Sequence, residues 1–306
     1  VAASHNADQR AEIAQILRNA MKGFGTDEKA IIRVAASHNA DQRAEIAQQF
    51  CASFGLLLEK ELKKELSGNL ENILVGAFKR RYELWADEIH QAIQGLGTNE
   101  KHLIQLVILM NDQDTIGVAQ MYMQKYQTDM FRAITSDISN NDWGRLLKGW
   151  IAGQNKQIMD PMQAADQLYN AAKGAGTDED VFIRIFCNCS PDNFRQICQV
   201  FQQKFGKSLR EIVKKEFTGR SEFAFLLAHD YLINPIQAVA FCVHYAVHGM
   251  GTDDRMLINA TLLFGDYFKG QTIVQAYTLF GDMKKDLKRD LTGKYEDAVM
   301  AMWGLL

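Results

Sequence analysis

The sequence predicts an all-α protein made of four copies of one five-helix unit of about 70 residues. Two recurring figures and one scarcity carry the prediction. A glycine turn, Gly-x-Gly-Thr followed by Asp or Asn and then an acid, stands at Gly23–Glu28, Gly95–Glu100, Gly174–Glu179 and Gly249–Asp254. Successive second glycines lie 72, 79 and 75 residues apart. An acid, an apolar residue, Ser or Thr, and Gly or Asn recur at Glu65–Gly68, Asp137–Asn140, Glu216–Gly219 and Asp290–Gly293. Only three prolines interrupt 306 residues, so little in the chain breaks a helix.

Within the first unit, Ile13, Ile16, Leu17, Ala20 and Met21 recur at helical spacing and predict one apolar face. The glycine turn stops that helix. Thr26 is expected to cap the next, with Asp27 and Glu28 in its first turn and Ile31, Ile32 and Ala35 along it. A third helix follows Asn39 and carries Ile46 and Phe50. A fourth has Leu58, Leu62 and Leu66 at steps of four, flanked by charged residues. Gly68 is expected to close it as a left-handed cap, with Asn140 the replacement in the second copy. A fifth helix carries Leu70, Ile73, Leu74, Ala77 and Phe78.

The units are placed at residues 8–82, 83–152, 164–234 and 236–306, with a connector at 153–163 that suggests two halves. Residues 1–12 are a short N-terminal segment duplicating 34–45, within an identity that runs from 1–15 to 34–48. Among copies so diverged elsewhere, this marks a recent local duplication or an assembly artefact, and no function is assigned to it.

Composition narrows the function. Hydrophobic content of 47% and charge of 23% suit a soluble globular protein, and a net charge of −3 gives no footing for nucleic acid. Plain electrostatic adhesion to anionic lipid is disfavoured for the same reason. Five cysteines without a disulfide framework fit a reducing compartment and buried thiols. The apolar runs at 103–110 and 236–247 are shorter than the roughly 20 residues of a spanning helix, so membrane contact would be peripheral. No zinc-protease, P-loop, dinucleotide or nucleophile-elbow motif occurs, and no enzyme activity is expected.

The two figures are coupled. The second glycine and the acid lie 40 residues apart in the first three units and 39 in the fourth. An acid in the last turn of a helix faces the negative end of the dipole and calls for a compensating cation. A turn with glycines at alternate positions can direct successive carbonyls to one point. Carbonyls and a carboxylate are hard oxygen ligands, which suit Ca2+ in the weak part of its roughly 10⁻⁷–10⁻³ M range. The plain alternative is a helix-ending turn without a ligand.

Together the Met-Lys-Gly-x-Gly-Thr-Asp-Glu figure, the acid before Leu-Ser/Thr-Gly and the fourfold repetition resemble the annexins across residues 8–306. The resemblance implies four five-helix repeats in a curved disc. It also implies Ca2+ bridging the protein to acidic, phosphatidylserine-type phospholipid, at the inner face of membranes in the cytoplasm. Carried over by position, site 1 is Met21, Gly23, Gly25 and Glu65, and site 2 is Ile93, Gly95, Gly97 and Asp137. Site 3 is Ala172, Gly174, Gly176 and Glu216, and site 4 is Val247, Gly249, Gly251 and Asp290. Lys22, Phe24, Leu96, Lys173 and Met250 would touch lipid. Sites 1 and 3 fit the pattern best, while Gln94 and His248 replace the usual lysine at sites 2 and 4. His38, Met110, Cys189 and Phe264 stand where annexins carry a helix-end arginine, which argues against an ion-channel role. A scaffold joining membrane to a cytoskeletal protein, with degenerate calcium sites, is the alternative.

Overall fold

The computed structural model describes residues 7–23, 25–94, 99–153, 156–174, 176–249 and 251–306. Among these it is helical, with one isolated β-bridge between Gln157 and Cys189. The first five helices are α1 (Ala7–Ala20), α2 (Glu28–Ala36), α3 (Ala40–Phe54), α4 (Leu58–Glu65) and α5 (Gly68–Ala77). Next come α6 (Arg81–Ile93), α7 (Glu100–Ile108), α8 (Asp112–Tyr126), α9 (Met130–Asp137) and α10 (Asp142–Ala152). The third set is α11 (Pro161–Ala171), α12 (Glu179–Asn188), α13 (Pro191–Phe205), α14 (Leu209–Glu216) and α15 (Gly219–Ile233). The last is α16 (Pro235–Ala246), α17 (Asp254–Phe264), α18 (Gly270–Tyr277), α19 (Met283–Asp290) and α20 (Gly293–Met302). The expected five-helix period is thus met four times, and all three prolines open helices, where the missing N–H costs nothing.

Local chemistry sets the helix ends. Asn39 caps α3 in a reciprocal box with Gln42, and Gly55 ends that helix at φ +66°. Several expectations change here. Asp27, rather than Thr26, caps α2 by accepting from the Ala30 N–H. Ile16 is 48% exposed, while Ala14 and Leu17 are fully buried, so the core face of α1 is turned away from Ile16. Gly68 is left-handed at φ +62°, but it begins α5 instead of ending α4, after an extended Leu66 and Ser67. Asn140 is not left-handed; Asn141 caps α10 instead, and Gly144 admits the Ser139 carbonyl to within 2.1 Å of where a Cβ would stand.

The chain divides into two compact units, though not at the 153–163 connector. One unit is 1–85 with 242–306, and the other is 86–241. In the first, α5 packs on α17 and α20, and α2 on α20. Gly76 permits the α5–α17 approach, since a Cβ there would lie 2.7 Å from Leu262. Arg43 is buried and donates to the carbonyls of Ala35, His38 and Ala77 and to Asp266, which satisfies a charge that burial alone would disfavour.

In the second unit, α10 packs on α7, α12 and α15, and Phe182, Phe186, Phe194, Phe217 and Phe225 form a ring cluster. The connector is held within this unit. Gln157 donates to the Asn188 carbonyl at 2.8 Å and accepts from Ser190 at 3.0 Å, and Asn193 bonds both the N–H and the carbonyl of Met159. Those bonds explain why a long connector does not separate halves.

Burial pushes the Cys187 and Cys198 thiols up to about 12 and Cys189 to about 11, which leaves them unreactive. Among the described residues no helix is long and apolar enough to cross a membrane.

Candidate functional site

Each glycine turn is closed by the same hydrogen bond. The N–H that precedes the second helix reaches back seven residues to the carbonyl near the end of the first. The pairs are Asp27 to Ala20 at 2.9 Å, Asn99 to Ala92 at 2.8 Å, Asp178 to Ala171 at 2.9 Å and Asp253 to Ala246 at 2.8 Å. Four equal closures from four divergent sequences make the loop a built element rather than a frayed helix end.

Inside that closure the described glycines adopt conformations that L residues avoid. Gly23 and Gly25 have φ +110° and +91°, Gly174 and Gly176 +122° and +111°, and Gly249 and Gly251 +147° and +84°. No atom lies within 4 Å of where their Cβ atoms would stand, so open space borders them. The glycines are therefore required by backbone conformation and not by crowding. Among the described residues, no donor in the chain pairs with the carbonyls of Met21, Gly23 and Gly25, nor with those of Ala172, Gly174 and Gly176. Exposed carbonyls gathered at a turn are what a hard cation requires.

The acids arrive where the 40-residue spacing places them. Glu65, Asp137, Glu216 and Asp290 are each the final residue of the fourth helix of their repeat. The threonine after the second glycine joins loop to acid. Thr26 Oγ1 donates to Glu65 Oε2 at 2.5 Å, and Thr177 to Glu216 at 3.1 Å; Thr252 donates to Asp290. Residues almost 40 apart in sequence are thus held in contact, and the threonine fixes which way the carboxylate turns. Sequence reading gave threonine a capping role. The signal that could have found its true one was its presence in all four turns, although Asn or Asp follows it and caps better.

Charge differs among the sites. Lys215 donates to Glu216 at 2.6 Å and holds its carboxyl below the usual range, opposed by partial burial and helped by Thr177. At site 4, Arg289 contacts the Val247 carbonyl at 3.5 Å and pairs with Asp286 at 3.0 Å. That arginine was not singled out from the sequence. Ile93 and Asp137 of site 2 are in place, whereas Gly95, Leu96 and Gly97 lie outside the described residues, as do Phe24 and Met250. Lys22 and Lys173 are exposed beside their turns.

The annexin family model matches residues 12–77, 85–147 and 163–227. Human Annexin A7 is 32% identical over 304 residues, which cover 95% of this chain and 61% of that protein. The chain therefore spans about three fifths of that relative's length. Rabbit (Oryctolagus cuniculus) Annexin A8 is 32% identical over 95% of this chain and 91% of its own. Among solved structures, chicken annexin V superposes with a TM-score of 0.89 at 27% identity, covering 99% of this chain and 98% of that one. Calcium-bound alpha-14 giardin gives 0.86 at 27% identity, covering 96% and 99%. With the repeat, the loop closure and these likenesses in agreement, the chain belongs to the annexin family.

Proposed function

We propose that this protein binds acidic phospholipid membranes reversibly and in a Ca2+-dependent way, at the cytoplasmic face. Ca2+ binding and phospholipid binding are general to the family; the residues that perform them here are our assignment. The carbonyls of Met21, Gly23 and Gly25 with Glu65 would hold one ion, and those of Ala172, Gly174 and Gly176 with Glu216 another. Ile93, Gly95, Gly97 and Asp137, and Val247, Gly249, Gly251 and Asp290, would form the second and fourth sites. Bound Ca2+ supplies the positive charge that a protein of net charge −3 lacks, and it leaves coordination positions for a lipid phosphate oxygen.

The observation that carries this reading is the threonine-held carboxylate beside unpaired turn carbonyls. It meets the ligand chemistry of Ca2+ without invoking any surface cation. Lys22 and Lys173 would approach the headgroups, with Phe24, Leu96 and Met250 beside them. Weak sites acting together give a membrane affinity that none would give alone.

Co-sedimentation with phosphatidylserine vesicles across a Ca2+ titration tests the reading, with EDTA reversal and phosphatidylcholine as control. Pelleting that requires both Ca2+ and the acidic lipid, and reverses with EDTA, is the expected result. No pelleting at millimolar Ca2+ would sink the function and leave the fold untouched.

A further inference from the structure

Repeat 4 replaces two basic positions of repeat 1 by histidines. Counted from the first glycine of each turn, Arg18 and Lys22 correspond to His244 and His248, and Glu61 corresponds to Asp286. In repeat 1 the acid is answered by permanent cations: Arg18 pairs with Glu61 at 3.2 Å and Lys64 at 2.6 Å. In repeat 4 the acid remains, is 7% exposed, and faces two imidazoles.

We propose that His244, His248 and Asp286 form a binding site for a divalent first-row transition metal ion of the Zn2+ class. One ligand atom from each lies within 4.8 Å of the other two. Tetrahedral zinc with bonds of about 2.0–2.1 Å separates its ligands by about 3.3 Å, so closing the site needs about 1.5 Å of movement. His248 is exposed and can make that movement by side-chain rotation.

The surroundings orient all three groups. His248 Nδ1 lies 3.1 Å from the His244 carbonyl. A carbonyl only accepts, so Nδ1 carries the proton and Nε2 presents its lone pair. His244 stacks on Phe280 at 4.9 Å and meets the edge of Tyr277 at 5.9 Å, which fixes its ring. Tyr277 donates its hydroxyl to Asp286 Oδ2 at 3.0 Å, the outer-shell bond that metal-ligating carboxylates commonly have.

Arg289 donates to Asp286 Oδ1 at 3.0 Å, and its side chain is 54% exposed. The ion takes that oxygen and the guanidinium turns to water. Two imidazoles and one carboxylate select a borderline metal over Ca2+, which prefers oxygen alone. The site is therefore chemically distinct from the glycine turns.

Calorimetric titration of the full chain with Zn2+, in saturating Ca2+ and without lipid, tests the site apart from membrane binding. One zinc per chain is expected. His248→Gln, on the exposed ring, should abolish that step, and Asp286→Asn should weaken it at least tenfold. Absence of saturable zinc uptake, or uptake that survives His248→Gln, would overturn the proposal. Unchanged affinity in Asp286→Asn would overturn the three-ligand site. Should Asp286→Asn fail to fold, His248→Gln alone decides.

Discussion

The turns of repeats 1 and 4 share a skeleton and differ in what surrounds it. Both are closed by a bond from Asp to Ala seven residues back, both carry two left-handed glycines, and both tie a threonine to a helix-terminal acid. In repeat 1 no donor in the described chain pairs with the turn carbonyls. In repeat 4 the Val247 carbonyl faces Arg289, and His248 replaces the exposed Lys22. A cation of the chain thus occupies part of the place where an external cation would sit. The turn sequence builds the loop, but side chains outside it decide whether its ligands are available.

The largest effect that would break this comparison is loss of the charged ligand. Glu65→Gln with Glu216→Gln should raise the Ca2+ needed for half-maximal vesicle binding about tenfold, with circular dichroism unchanged. An unaltered requirement would remove both residues from the mechanism.

Next in size is a backbone contrast. Gly25→Ala and Gly55→Ala each force a residue with Cβ into positive φ, and each should cost about 1 kcal/mol in denaturant unfolding. Only Gly25→Ala should also shift the Ca2+ titration. Equal shifts in the two variants would mean that lost stability, and not loop geometry, weakens binding.

Thr26→Val removes the hydroxyl that orients Glu65, and about threefold weaker Ca2+ binding is expected, in keeping with one lost hydrogen bond. Equal affinity in direct Ca2+ titration would make the threonine a loop-packing residue. The smallest effect has the opposite sign. Arg289→Gln should free the Val247 carbonyl and strengthen Ca2+ binding at repeat 4 about twofold, because the competing contact is long and half-exposed. Weaker binding in that variant would show the arginine to be a support rather than a competitor.

Much of this was legible in the sequence because helices and turns are local. Four glycine figures at near-constant spacing announced the repeats, and the distance of 40 residues announced the partnership of turn and acid. The details that escaped depend on which neighbour a group meets. Thr26 has a good capping side chain, but Asp27 beside it takes the cap and the threonine turns to Glu65. The 153–163 connector reads as a boundary by length, yet Asn188, Ser190 and Asn193 hold it within one unit. Arg289 carries no sequence signal because its partners lie in other segments.

One stretch separates the two kinds of information. Residues 7–15 and 40–48 have the same nine-residue sequence, and both are helical, in α1 and α3. Their fates then diverge. Ile46 is fully buried while Ile13 is only half-buried, and Arg43 is sealed among carbonyls while Arg10 pairs with Glu45 nearer the surface. Helix formation rests on bonds between residues four apart, which the sequence by itself supplies. Burial and charge partnership rest on what packs against the helix, and only the tertiary structure decides that.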